Sequence, residues 1–331
     1  MKFESRKVRK KKNRKKRRVF LAVTLAIILV SIGCVATKLY NLVYTKNKVV
    51  QATIFEGEDN QSNKGKDIEN GVQEPEQNDE NNKSDEKNYN SEIIKGKNVS
   101  KEGSKYSIDR NEVSKMLSKD YKSDGKKIVF LTFDDGPSNQ NTGDVLEILK
   151  SKDVKATFFV LGRNIKTKNG AELLKREFNE GHAIGNHSYS HNFKKLYPAN
   201  RVDIPYFMKE IEDTNAIMKD VLGNEFDTKV VRMPGGHMSR AYYNDPNLSN
   251  LNATFAKENI SSIDWNSLNG DAEGKKYSNQ DMLNYVQKTS NGKEKVVILM
   301  HDSEGKIKTK EILPQVIDYF KNKGYEFKTI S

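Results

Sequence analysis

From Lys127 to the C-terminus the chain alternates short, β-rich apolar runs with amphipathic segments, and this alternation constrains the fold more than any other feature. The strand runs fall at 127–133, 155–160, 182–186, 229–233, 261–265, 295–301 and 325–330. Segments between them place apolar residues three and four apart, as in Phe207, Ile211, Ile217, Met218 and Val221, which is helical spacing. Such a pattern predicts an α/β domain of about seven mostly parallel strands. A barrel and an open doubly wound sheet both satisfy it, and in both the chemistry sits at the C-terminal ends of the strands.

Polar clusters fall at those ends. The run Ile128-Val129-Phe130-Leu131 leads into Thr132-Phe133-Asp134-Asp135-Gly136-Pro137. Two adjacent carboxylates repel, so a cation or a proton must intervene. His187 and His191 follow the third run with three residues between them; on a helical turn, residues four apart share a face and both imidazoles reach one ion. With one carboxylate from Asp134/Asp135 they make a three-ligand site with room for water and substrate. The protease motif H-E-x-x-H is absent, since Ser188 stands where its Glu would be. Arg232, Pro234, Gly235 and Gly236 follow the fourth run, where a guanidinium can keep an aspartate ionised and glycine N–H groups can face an oxyanion. Asp264 and Trp265, the only tryptophan, end the fifth run, and His301-Asp302 ends the sixth. A histidine there can donate a proton if a carboxylate raises its pKa, and Asp264 is the candidate partner. Each cluster alone has a bland reading beside the functional one, as a solvated turn or a satisfied core residue; five at five strand ends read as one site.

The remainder of the chain sets a different frame. Residues 1–18 carry twelve Lys/Arg and one acid, so the net +12 belongs mainly to this tail. With no Arg/aromatic stripe or zinc-finger spacing, nucleic acid is not expected as a partner. Val19–Thr37 is nineteen residues without a charge, long enough to span a bilayer, with the basic tail inside and the remainder outside. A cleaved signal peptide and lipidation at Cys34 are the alternatives. Cys34 is the only cysteine, which excludes an intramolecular disulfide. The expected organisation is a basic cytoplasmic tail (1–18), an anchor (19–44), a disordered acidic and Asn-rich linker (45–105) and a catalytic domain (106–331) of ordinary hydrophobic core, monomeric and outside the membrane.

In order and spacing, the five clusters resemble the motifs of the polysaccharide deacetylases, carbohydrate esterase family four with its NodB homology domain. The likeness covers about Lys127 to Ile330. It implies a distorted (β/α) barrel, one divalent metal ion (zinc first, cobalt or manganese next) and hydrolytic removal of N-acetyl groups from a glycan. Residue by residue it implies Asp134 as base, Asp135, His187 and His191 as metal ligands, Arg232 orienting Asp134, and His301 as acid tuned by Asp264. Leu299 would line the acetyl pocket, and Pro234, Gly235 and Trp265 the sugar groove. Many members carry Tyr after the proline of the third motif; Gly235 keeps the backbone donor and lacks the ring. The anchor and spacer resemble those of Gram-positive peptidoglycan N-acetylglucosamine deacetylases, whose product, a free amine on the glycan, impairs lysozyme. Exported poly-N-acetylglucosamine and N-acetylmuramic acid are the alternative substrates. Two other classes fit less well. A glycosidase built on Asp134 and Asp135 conflicts with adjacent strand residues pointing to opposite faces. A non-catalytic wall-binding protein would leave the proton-transfer residues without use.

Overall fold

The computed structural model describes residues 92–331. Ten strands occur among them: β1 (Ser107–Ile108), β2 (Ile128–Asp134), β3 (Thr157–Val160), β4 (Ala183–Asn186), β5 (Val230–Val231), β6 (Ser261–Ser262), β7 (Ser267–Leu268), β8 (Lys295–His301), β9 (Glu326–Phe327) and β10 (Thr329–Ile330). Eight form one parallel sheet with the path β6-β5-β4-β3-β2-β8-β7, and β9 pairs with the start of β2. The two end strands of that path, β6 and β7, are separated by only four residues, Ile263 to Asn266. Four residues span at most about 14 Å, so the sheet must curl until its edges nearly meet. The result is a curled half-barrel wrapped by helices.

Three expectations need correction. The fifth run, 261–265, forms only the short strand β6, and a further strand, β7, follows it on the opposite edge. The last run is two strands: β9 joins the main sheet, while β10 pairs with β1 in a separate two-stranded sheet. Residues 92–105 are part of the fold and not linker. Ile93 bridges Ser100, and the buried Asn98 side chain donates to the carbonyls of Ile184 and Ile330 at 3.0 Å each. Expectations for the basic tail, the anchor and linker residues 45–91 lie outside the described residues. Among the described residues, no helix is long and apolar enough to cross a membrane.

Strand alternation positions the site. On β2, Val129, Leu131 and Phe133 join the outer core with the covering helices, including Thr142–Ser151 and Ile307–Asn322. Ile128 and Phe130 face the inside of the curl, with Phe159, Val230, Ile263 and Val297. Because alternate residues share a face, Thr132 and Asp134 continue this inner row, as Leu299 and His301 continue that of Val297. Burial on both faces explains why these strands read as unbroken apolar runs. The short helix Arg110–Met116 contributes Val113 and Met116 to the inner cluster, together with Ile330 of β10.

Candidate active site

β2 and β8 are paired in register, so Asp134 stands opposite His301 at the strand ends. Asp134 is 2% exposed, and Arg232, beyond the end of β5, is fully buried. Arg232 Nη1 donates to Asp134 Oδ1 at 2.8 Å and to Thr132 Oγ1 at 2.6 Å; its Nε donates to Ile263 O at 2.8 Å and its Nη2 to Asp264 O at 3.3 Å. The guanidinium also lies over the Phe159 ring, 4.1 Å from its centroid. The guanidinium thus sets a buried positive charge beside Asp134.

Asp135 follows in a left-handed conformation, φ 70°, unusual outside glycine. The turn directs its side chain away from Arg232 toward two imidazoles. Its Oδ1 is 3.4 Å from both His187 Nε2 and His191 Nε2. Burial opposes ionisation of Asp135, but the imidazoles of His187, His191 and His301 and the Lys306 ammonium outweigh it, holding its carboxyl below the usual range. The H-x-x-x-H spacing works by a different geometry from the one expected. Residues 187–192 are an irregular loop, with Ser188 at φ 70° and His191 at φ 55°. Polar side chains hold that loop: Asn186 Oδ1 accepts from Ser188 N at 2.8 Å, and Glu210 accepts from Ser190 N and Oγ at 3.0 and 2.6 Å. His187 Nδ1 lies 2.7 Å from Arg232 O, which fixes Nδ1 as the protonated nitrogen and turns Nε2 toward Asp135.

The candidate ligand atoms of Asp135, His187 and His191 lie within 4.8 Å of one another. Asp135 Oδ1 is buried and has no hydrogen-bond partner. An orphaned carboxylate oxygen facing two imidazole nitrogens fits a divalent cation that accepts mixed N/O ligands.

His301 has a different partner from the one expected. Its Nδ1 is 2.8 Å from Asp271 Oδ1, and Asp271 Oδ2 accepts from His301 N at 2.9 Å and Thr309 Oγ1 at 2.7 Å. Burial pulls the His301 pKa down, but Asp271, with Asp134 and Asp135 behind it, raises it to about 9. Asp264 instead accepts from the backbone N–H groups of His237 and Met238, at 2.8 and 2.7 Å. Its carboxylate is thereby committed to the loop that carries Pro234 and Gly235. Asp271 lies in Asn269-Gly270-Asp271-Ala272-Glu273-Gly274, which reads from sequence as an ordinary turn.

The remaining expected residues gather at the same end. Gly235, at φ 76°, has a backbone N–H without an acceptor among the described residues. Pro234 O accepts from Tyr197 Oη at 3.0 Å. Trp265 is partly buried against the inner core, and a Cβ on Gly236 would stand 3.0 Å from its Cη2. Leu299 is 7% exposed, on the inner face two residues before His301. A cleft of about 430 Å³ opens at Asp135 and His191, bordered by Asn139, Arg163 and Glu304.

A carboxylate paired with a buried arginine, an imidazole of raised pKa and a three-ligand cluster, gathered at one end of the sheet, define a hydrolase site built for acid–base work. Comparison with known proteins agrees. The polysaccharide deacetylase family model matches residues 121–253. A peptidoglycan-N-acetylglucosamine deacetylase of Bacillus cereus is 31% identical over 226 residues, covering 65% of this chain and 74% of the relative. The peptidoglycan-N-acetylmuramic acid deacetylase PdaA of Bacillus subtilis is 29% identical, covering 62% of this chain and 70% of the relative. The structure of a Streptococcus mutans CE4 esterase superposes with a TM-score of 0.65 at 34% identity, covering 72% of this chain and 98% of that one. The chain belongs to the polysaccharide deacetylases and is an enzyme of that family.

Proposed function

We propose that this enzyme hydrolyses N-acetyl groups from N-acetylglucosamine residues of cell-wall peptidoglycan, releasing acetate and leaving glucosamine. The observation that carries this reading is the sorting of two neighbouring carboxylates. Asp134 is bonded to Arg232 at 2.8 Å, while Asp135 faces two imidazoles at 3.4 Å each. One is kept as a proton acceptor and the other as a ligand.

Asp135, His187 and His191 would hold one divalent ion, with zinc first and cobalt or manganese next. Bound there, the ion supplies Lewis acidity that polarises the amide carbonyl and makes water a stronger nucleophile near neutral pH. The chain's own groups divide the proton work. Asp134, with Oδ1 occupied by Arg232, takes a proton from the attacking water through Oδ2. The Gly235 N–H donates to the developing oxyanion. His301, protonated up to about pH 9, gives its Nε2 proton to the departing glucosamine nitrogen. Asp271 accepts from Nδ1 and leaves Nε2 on the side of Asp135, 4.0 Å from its Oδ2.

The enzyme is placed outside the cell membrane, held by residues 19–44 and extended by the acidic linker. Twelve cations ahead of nineteen uncharged residues support this placement. The test is incubation of purified peptidoglycan, and separately of poly-N-acetylglucosamine, with metal-loaded enzyme, followed by acetate assay and mass spectrometry of the muropeptides and glycan. Acetate should appear in step with deacetylated glucosamine, without chain shortening. Loss of acetyl groups from muramic acid alone, or from poly-N-acetylglucosamine alone, reassigns the substrate. An unchanged acetylation pattern on all three overturns the proposal.

A further inference from the structure

The two candidate imidazole ligands are held in different ways. His187 Nδ1 lies 2.7 Å from the carbonyl of Arg232, so its ring is fixed against the end of the sheet. His191 is placed through its backbone. Its N–H donates to Ser188 Oγ at 3.2 Å, and the next N–H, of Asn192, donates to Ser190 Oγ at 3.1 Å. Ser188 and His191 both hold left-handed backbone, at φ 70° and 55°. Residues other than glycine keep such conformations only where their surroundings impose them.

Glu210 supplies that constraint. It lies on the helix Ile204–Leu222 and is 3% exposed. Its Oε1 accepts from Ser190 Oγ at 2.6 Å and its Oε2 from Ser190 N at 3.0 Å. The hydroxyls of Ser188 and Tyr206 donate to the same carboxylate. Burial opposes ionisation of Glu210, but these bonds outweigh it and hold the carboxyl below the usual range. An ionised carboxylate only accepts. It therefore takes the protons of both serine hydroxyls and leaves their lone pairs for the N–H groups of His191 and Asn192. The next residue along the helix, Ile211, is anchored in the core with Phe207, which gives the carboxylate a rigid seat.

We propose that Glu210 is a positioning residue for the metal centre: through Ser190 and Ser188 it sets where the His191 imidazole stands, and so how tightly Asp135, His187 and His191 together hold a divalent ion. The proposal rests on the metal-site reading above. It makes the three ligands unequal. Asp135 and His187 are placed by the ends of β2 and β4, whereas His191 is placed by a carboxylate from a helix.

The test titrates the metal-free, full-length protein with zinc by calorimetry against a competing chelator. Wild type, Glu210→Gln, Ser190→Ala and the double variant are compared. Glu210→Gln keeps size and shape but turns an amide donor toward one of the two donors on Ser190. Its zinc Kd should rise about ten- to a hundredfold, and the visible spectrum of the cobalt-loaded protein, which follows ligand geometry, should change with it. Ser190→Ala should weaken binding by a smaller factor. In that background Glu210→Gln should cost less than in wild type, because the two residues share one route to His191. Thermal unfolding of the metal-free proteins separates a loosened fold from a displaced ligand. A lowered midpoint in Glu210→Gln with zinc Kd and cobalt spectrum unchanged makes the residue merely structural and overturns the proposal. An equal cost of Glu210→Gln in both backgrounds overturns the route through Ser190. Should Glu210→Gln fail to fold, Ser190→Ala alone decides, and an unchanged zinc Kd in it overturns the proposal. A wild-type protein that binds neither zinc nor cobalt overturns the metal-site reading and this proposal with it.

Discussion

Two buried carboxylates, Asp134 and Asp271, each hold a cation at the same end of the sheet, and they hold different kinds. Asp134 meets a fully buried arginine at 2.8 Å; Asp271 meets a histidine at 2.8 Å. The second cation titrates at about 9. In the proposed mechanism the first pair keeps a carboxylate available to accept a proton. The other stores a proton that can leave. Register pairing of β2 with β8 sets the two functions side by side.

The largest effect should come from removing the acceptor. Asp134→Asn keeps the shape and loses the base, so acetate release should fall by about three orders of magnitude, with metal content measured by elemental analysis near that of wild type. Full activity in that variant contradicts the division of roles. Arg232→Met tests the fixed charge through stability. It strands a buried carboxylate, and denaturant unfolding should show a loss of about 3–5 kcal/mol. His301→Gln removes the stored proton and should lower kcat by about a hundredfold, with a smaller change in unfolding free energy than Arg232→Met. Asp264→Ala should have the smallest effect, about 1 kcal/mol from lost backbone capping. Because Asp264 bonds His237 and Met238 and not His301, the alkaline limb of the pH–rate profile should stay in place in that variant.

The fold was legible where strands are long. β2 and β8, at seven residues each, show as apolar runs with their polar ends in view. The site residues at those ends, Asp134, Asp135 and His301, follow directly. Short strands hid the rest. β6 and β7 are two residues each, and missing β7 left Asp264 as the nearest carboxylate to consider for His301. Once Leu268 of β7 is seen to pair with Leu299 of β8, the loop that follows must emerge beside His301, and Asp271 becomes the natural partner. Nothing in the local sequence marks β7, because its register is set by side-chain bonds such as Asn266 Oδ1 accepting from Val297 N at 3.0 Å. The histidine loop shows the same limit. Spacing suggested His187 with His191, but the turn between them is set by Asn186 and Glu210, the latter from the helix Ile204–Leu222.

The same proton linkage carries a stability signature. With its folded pKa raised from 6.5 to about 9, His301 contributes stability that is complete below pH 6.5 and is lost as pH rises through about 9. Its catalytic counterpart is the most direct test of the contrast between the fixed and the titrating pair. The measurement is the pH–rate profile of acetate release by wild type and Asp271→Asn. The account predicts an alkaline limb near 9 in wild type that moves toward 6.5 in the variant, with the acidic limb unmoved because Arg232 still holds Asp134. An alkaline limb that stays put in Asp271→Asn would contradict it.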